Sequence, residues 1–151
     1  MSSLQIAISA SAEKPQAIKG QGQGILPGDM PTLFSFAAAN NDSKPSVPGF
    51  FECFAVMPDG TTMYVKGNIT SLTVSENKTL VTMTGPANVM GFGAGTGTFK
   101  AIVTSDIQNN AVKELVLTTD INGDGVQASL ADGSEGPFKE KVVKSSLQIT
   151  S

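Results

Sequence analysis

FFECFAVMPDGTTMYVKGNITSLTV, Phe50 to Val74, decides how the rest of the chain is read. It reads as two long strands joined by a tight turn. Pro58-Asp59-Gly60 supplies the turn. Proline pre-sets φ at the first turn position, aspartate suits the second, and glycine takes the left-handed one. That order predicts a three-residue loop, a type I turn closed by a glycine bulge. Met57 then faces Thr61, Phe54 faces Tyr64 and Glu52 faces Lys66. The last two are the only charged residues in the facing segments, and opposite charges across a ladder stabilise it modestly. A two-residue loop would set Lys66 against Cys53 and Glu52 against Gly67. The charge match therefore supports the register that the turn chemistry picks.

Outward from this hairpin, the chain keeps to strands and turns. Leu4, Ile6 and Ile8 alternate with Gln5, Ala7 and Ser9 as in a half-buried strand. In the next strand, Ala17 to Leu26, residues Gly20, Gly22 and Gly24 fall on one face, because strand side chains have period two. Such a stripe permits a strand to turn a corner or a backbone to approach closely. After a turn at Pro27-Gly28-Asp29, Thr32 to Ala38 carries Phe34 and Phe36 on one face. Asn40 to Pro48 reads as a loop, since its two prolines exclude a regular central strand.

Beyond the hairpin, a turn at Ser75-Glu76-Asn77-Lys78 predicts Leu72 opposite Val81 and Val74 opposite Thr79. Gly85 to Gly97 reads as a flexible loop entering a strand. It lacks the G-x-x-x-x-G-K-[ST] of a phosphate loop, and no helix pattern follows. Thr98 to Asp106 is a strand. A two-residue turn at Asn109-Asn110 would pair Asp106 with Lys113. Leu115, Leu117, Thr119 and Ile121 form the inward face of the next strand. Asn122-Gly123-Asp124-Gly125 is a strong hairpin signal and brings Val126, Ala128 and Leu130 onto that face. Phe138 to Ile149 closes the chain, with Val143, Leu147 and Ile149 on one face. Ser2-Ser3-Leu4-Gln5-Ile6 recurs as Ser145-Ser146-Leu147-Gln148-Ile149, as two end strands in similar environments would. Strands at short spacing without a helix predict one all-β domain over residues 1–151. A closed or nearly closed antiparallel barrel is the expected form, with a two-sheet sandwich as runner-up.

Composition excludes several functions. Apolar residues make up 40% and charged residues 15% of the 151, the net charge is −3, and all ten basic residues are lysines. There is no His and no Trp, and only one Tyr. Phosphate backbones are gripped by Arg and Lys and single strands by stacked aromatics, so no nucleic-acid partner is expected. Zero His removes His-based triads, His zinc sites and a His general base. No cofactor and no metal are expected. The one cysteine, Cys53, excludes an intramolecular disulfide. Beside Phe51 and Ala55, with no His to activate it, it reads as a small buried hydrophobe rather than a nucleophile. No segment is long enough to span a bilayer as a helix. As written, the N-terminus lacks a basic, apolar leader. The expectation is either a cytoplasmic protein or one whose leader was replaced by the initiating Met. Asn-x-Ser/Thr sequons at Asn41, Asn68 and Asn77 only slightly favour export.

Asp120 to Gly125 looks like the first half of a calcium-binding EF-hand loop. That loop needs a bidentate acid at its twelfth position, where this chain has Ala131, and helical flanks that are missing here. A hairpin turn explains the same residues. Glu52 and Lys66 read as an exposed cross-strand ion pair rather than a catalytic pair. Phe54, Val56 and Tyr64 share their face, which is unusual for a solvated strand pair and predicts a homo-oligomer interface.

Gly95-Thr96-Gly97-Thr98-Phe99, a G-[TS]-G-x-F turn leading into a strand, resembles that of allene oxide cyclases and dirigent proteins. Thr79 to Gly93 sits where that family places a strand and a glycine-rich approach. The resemblance implies a small barrel with a lumen for an apolar molecule, often in a trimer. It carries no catalytic residue over to this chain, so the catalytic residues are left unassigned. Two functions are open at this point. One is a barrel binding an apolar small molecule in a lumen lined by Phe51, Cys53, Met63, Val65 and Phe99. Such a barrel could act as a cyclase or isomerase by shaping its substrate. The other is a structural or assembly subunit of a fibre, coat or surface layer.

Overall fold

The structure, a computed structural model, describes residues 16–40, 49–92, 94–121 and 138–150. The first strand expected at Leu4–Ile8, residues 41–48, the turn at Asn122–Gly125 and the Val126–Leu130 strand lie outside the described residues. The described residues form nine antiparallel strands: β1 (Gln16–Leu26), β2 (Met30–Asn40), β3 (Gly49–Val56), β4 (Thr62–Ile69), β5 (Ser71–Val74), β6 (Leu80–Gly91), β7 (Gly95–Asp106), β8 (Ala111–Ile121) and β9 (Phe138–Thr150). The pairing runs β4-β3-β2-β1-β9-β8-β7-β6, and β6 pairs back onto β4. The sheet thus closes into an eight-stranded antiparallel barrel, with β5 as an extra strand on β6. Closure removes the free edges that a sandwich would have to protect.

The central hairpin has the register that its turn chemistry predicts. Glu52 pairs with Lys66, Phe54 with Tyr64 and Val56 with Thr62. Gly60 sits at φ 88°, and its N–H donates to the Met57 carbonyl at 2.9 Å. The Asp59 carboxylate accepts from the Thr61 backbone N–H at 3.0 Å and its hydroxyl at 2.7 Å. Those bonds favour the ionised form and hold Asp59 below the usual carboxylate range.

Four expectations are corrected. Leu72 pairs with Met83 and Val74 with Val81, two places from the expected partners. The loop is longer because its polar side chains support it. Ser75 Oγ accepts from the N–H groups of Thr79 and Leu80, and Asn77 Oδ1 accepts from the Thr79 hydroxyl. A shift of two leaves each side chain on its expected face. Most of Gly85–Gly97 is strand rather than loop, since β6 runs to Gly91 and β7 starts at Gly95. The glycines serve close backbone approach: a Cβ on Gly85 would lie 1.9 Å from the Asn68 carbonyl oxygen. Asp106 pairs with Ala111 rather than Lys113. Its carboxylate instead accepts from the Asn109 side-chain amide at 2.8 Å, over a 3-10 turn at Ile107–Asn109. Val143 points outward, 63% exposed, because the β1–β9 ladder is irregular between Gln23 and Gly24.

Inside the barrel, the glycine stripe of β1 meets the phenylalanines of β2. Gly20 pairs with Phe36 and Gly22 with Phe34. A Cβ on Gly20 would fall 2.4 Å from the Phe36 ring, and one on Gly22 2.6 Å from the Phe34 ring. The volume that the glycines vacate is therefore filled by phenyl rings of the neighbouring strand. Phe34, Phe36, Phe51 and Phe99 continue as a stacked ladder with centroid separations of 6.3, 6.4 and 5.0 Å. Gly20→Val should therefore overpack the core and lower unfolding stability by ~1–3 kcal/mol. Gly20→Val with Phe36→Leu should recover part of that loss in urea titrations. An unaltered Gly20→Val midpoint would show that the ring does not fill this space.

Candidate functional site

All five residues expected to line the lumen face the interior and are buried: Phe51 and Cys53 on β3, Met63 and Val65 on β4, and Phe99 on β7. They meet because the strands bring them together. Cys53 pairs with Val65, and Phe51 stacks on Phe99 across the barrel wall. Sequence reasoning missed the group that lies beside Cys53. Glu140 of β9 is 1% exposed and sits inside the barrel. The Thr32 hydroxyl donates to its Oε1 at 2.5 Å, and the Cys53 thiol donates to its Oε2 at 3.1 Å.

The irregularity at Val143 explains how an acid comes to point inward. From Leu147 backwards, strict alternation would turn Lys139, Lys141 and Val143 toward the core. Gln23 pairs with Lys144 but Gly24 with Val142, so Val143 is the extra residue of a β-bulge. Beyond it the faces exchange. Phe138 and Glu140 turn in, and Lys139 and Lys141 turn out. Gly24 makes room, since a Cβ there would sit 2.8 Å from Glu140 Oε1 and 3.0 Å from Thr32 Oγ1. A local signal for this existed in the sequence: Phe138 and Glu140 share a face opposite two lysines.

Burial pushes the Glu140 carboxyl above its ordinary range, and the hydrogen bonds from Thr32 and Cys53 pull it part of the way back. The Cys53 thiol is pushed up well above its ordinary value, first by burial, then by the Glu140 charge and by donating to it. Cys53 is thus a protonated hydrogen-bond donor rather than a nucleophile. Thr119 Oγ1 is a buried hydroxyl without a hydrogen-bond partner among the described residues. No group of three or more His, Cys, Asp and Glu among the described residues is placed to hold a metal, and no described helix is long and apolar enough to cross a membrane.

The outer wall is the second feature. Phe54, Val56 and Tyr64 face outward, as expected, and are half-buried. Phe54 and Tyr64 continue across neighbouring strands. Leu33 pairs with Phe54, Phe54 with Tyr64 and Tyr64 with Met90, giving one apolar row over β2, β3, β4 and β6. Leu33 is 53% and Met90 42% exposed. The two aromatic rings meet edge-on at 6.2 Å. Ile25 and Pro31, a cross-strand pair, extend the patch alongside Val56. The adjoining row is polar: Ser35, Glu52, Lys66 and Asn88. Contrary to the expected cross-strand ion pair, Glu52 and Lys66 lie opposite each other without forming one. The Glu52 carboxylate instead accepts the Tyr64 hydroxyl at 2.9 Å. That bond holds Tyr64 above its ordinary pKa. A groove of about 630 Å³ opens outward along this polar row, over Phe50, Glu52, Lys66, Asn68 and Asn88.

The chain matches no family model, no curated protein and no solved structure.

Glu140 makes a prediction about pH. Its carboxyl is raised in the fold, so it contributes stability that is present below its unfolded pKa of about 4.3. That contribution is lost as pH rises through the raised folded value. Glu140→Gln is neutral at every pH and still accepts from Thr32. The variant should gain stability relative to the native chain as pH rises from acid to neutral, read as the difference between two urea series. A difference that does not change with pH would mean that the carboxyl is not desolvated.

Proposed function

We propose that the protein is a non-catalytic assembly subunit, a solid barrel that buries the outer face of β2, β3, β4 and β6 against another subunit. The row Leu33–Phe54–Tyr64–Met90 carries this reading. Apolar side chains scattered singly over a surface are ordinary, but a contiguous patch with aromatic residues at its centre and a polar rim is the composition of an interface core. The interior supports the same reading. Phenyl rings occupy the space that Gly20 and Gly22 leave, the single thiol is held protonated, and the one buried carboxyl among the described residues is enclosed. At micromolar concentration the protein should sediment above its monomer mass. Phe54→Lys should sediment as a folded monomer, with its circular dichroism unchanged. A native chain that sediments as a monomer overturns the reading.

A second reading is favoured by one observation. The Thr119 hydroxyl, without a hydrogen-bond partner among the described residues, and the raised Glu140 carboxyl are polar groups inside a largely apolar barrel. They suit an apolar molecule with one polar end, held among Phe51, Cys53, Met63, Val65 and Phe99, and turned over by cyclase- or isomerase-type chemistry. Titration of an environment-sensitive apolar dye separates the two readings. Saturable binding that weakens in Met63→Trp supports the interior site. Absent binding, with Met63→Trp destabilised by overpacking, supports the solid barrel.

A further inference from the structure

The outer face has an order that the assembly reading does not by itself require. Counted across β2, β3, β4 and β6, the apolar row runs Leu33, Phe54, Tyr64, Met90. The adjoining row runs Ser35, Glu52, Lys66, Asn88. Each row is chemically symmetric about the seam between β3 and β4. In the first, two aromatics are flanked by two aliphatics. In the second, an acid and a base are flanked by two small hydrogen-bonding side chains.

A two-fold axis lying in the interface, along the strands and over that seam, exchanges β3 with β4 and β2 with β6. It sets Phe54 on the partner's Tyr64, with Leu33 and Met90 at the rim, where the closed barrel curves away. Two residues further along the same strands, roughly 7 Å away, it sets Glu52 on the partner's Lys66. Both charges then find opposite charges, twice over. A two-fold axis across the strands through the apolar row would instead set Glu52 on the partner's Val56, burying a carboxylate on an apolar side chain. Lys66 is available for such a bond: it forms no ion pair among the described residues, and Glu52 is engaged only by a neutral hydroxyl. Face-to-face packing with nearly aligned strands is an ordinary way for two sheets to meet.

We infer that the partner is a second copy of this chain, docked about a two-fold axis over the β3–β4 seam with reciprocal Glu52–Lys66 pairs. The inference rests on the assembly reading and narrows it. An isologous contact uses the same patch on both subunits and closes at two, whereas a fibre or coat needs heterologous contacts that continue. Surface charge also selects partners by penalising like charges that meet.

The test is a charge swap followed by sedimentation equilibrium. The native chain should be a dimer. Glu52→Lys alone sets lysine against Lys66 twice, and Lys66→Glu alone sets glutamate against Glu52 twice. Each should weaken dimerisation at least about tenfold, since like charges meeting across an interface cost several kcal/mol. Mixing the two variants restores both opposite pairs and should return the dimer as a heterodimer. The double variant should also dimerise. Unaltered thermal melting of each single variant separates lost association from lost folding. Single variants that dimerise like the native chain, or a native assembly larger than two, would overturn this arrangement. If Phe54→Lys still dissociated that assembly, the assembly reading would stand. A monomeric native chain would overturn both.

Discussion

The contact between the glycines of β1 and the phenyl rings of β2 is what the rest of the barrel depends on. A side chain on Gly20 or Gly22 would need the space that Phe36 and Phe34 already hold. The ring tips can reach over β1 only because it carries none there. From that contact the aromatic ladder runs on through Phe51 to Phe99 on the opposite wall. An eight-stranded barrel is just wide enough for its side chains to fill. Beside the aromatic ladder the filling is aliphatic: Val81, Met83, Ala101, Val103 and Leu115 are all fully enclosed. Interiors packed at crystal density transmit any change in volume to their neighbours.

One polar cluster is set into this core. An isolated carboxyl would be costly to enclose. Glu140 is supplied with a hydroxyl and a thiol that both donate to it, and a glycine clears space beside it. The cost is thereby reduced, but burial still outweighs the two hydrogen bonds, as the raised carboxyl shows. The same enclosure disarms Cys53. A thiol becomes a nucleophile when a positive neighbour lowers its pKa, and this one has an acid beside it instead.

The outer wall and the interior are two faces of the same strands. Because side chains alternate, the inward run Phe51, Cys53, Ala55 on β3 leaves Glu52, Phe54 and Val56 outward. On β4, Met63 and Val65 inward leave Tyr64 and Lys66 outward. A register slip of one residue would exchange the faces and place the two charged residues in the core. The Pro-Asp-Gly turn that prevents the slip therefore specifies both the aromatic core and the apolar outer row.

Much of this was legible in the chain. Turn chemistry and charge matching alone determined the register of the central hairpin, because a hairpin is local and its loop sets its pairing. Strand periodicity determined which of Phe51, Cys53, Met63, Val65, Phe99, Leu115 and Leu117 turn inward, and composition determined an all-β chain. Three things were decided only by the tertiary structure. The loops at Ser75–Thr79 and Ile107–Asn109 are held by distant strands, the Ser105 N–H and hydroxyl donating to the Thr79 and Lys78 carbonyls and the Leu147 N–H to the Asn110 carbonyl, which short turn rules do not anticipate. Rows such as Leu33–Phe54–Tyr64–Met90 exist only once strands distant in sequence lie side by side, so no window along the chain contains them. The third is the bulge at Val143, which arises where β9 accommodates β1 in a closing barrel. It shifts alternation by one residue, and that single step turns Glu140 from the surface into the core.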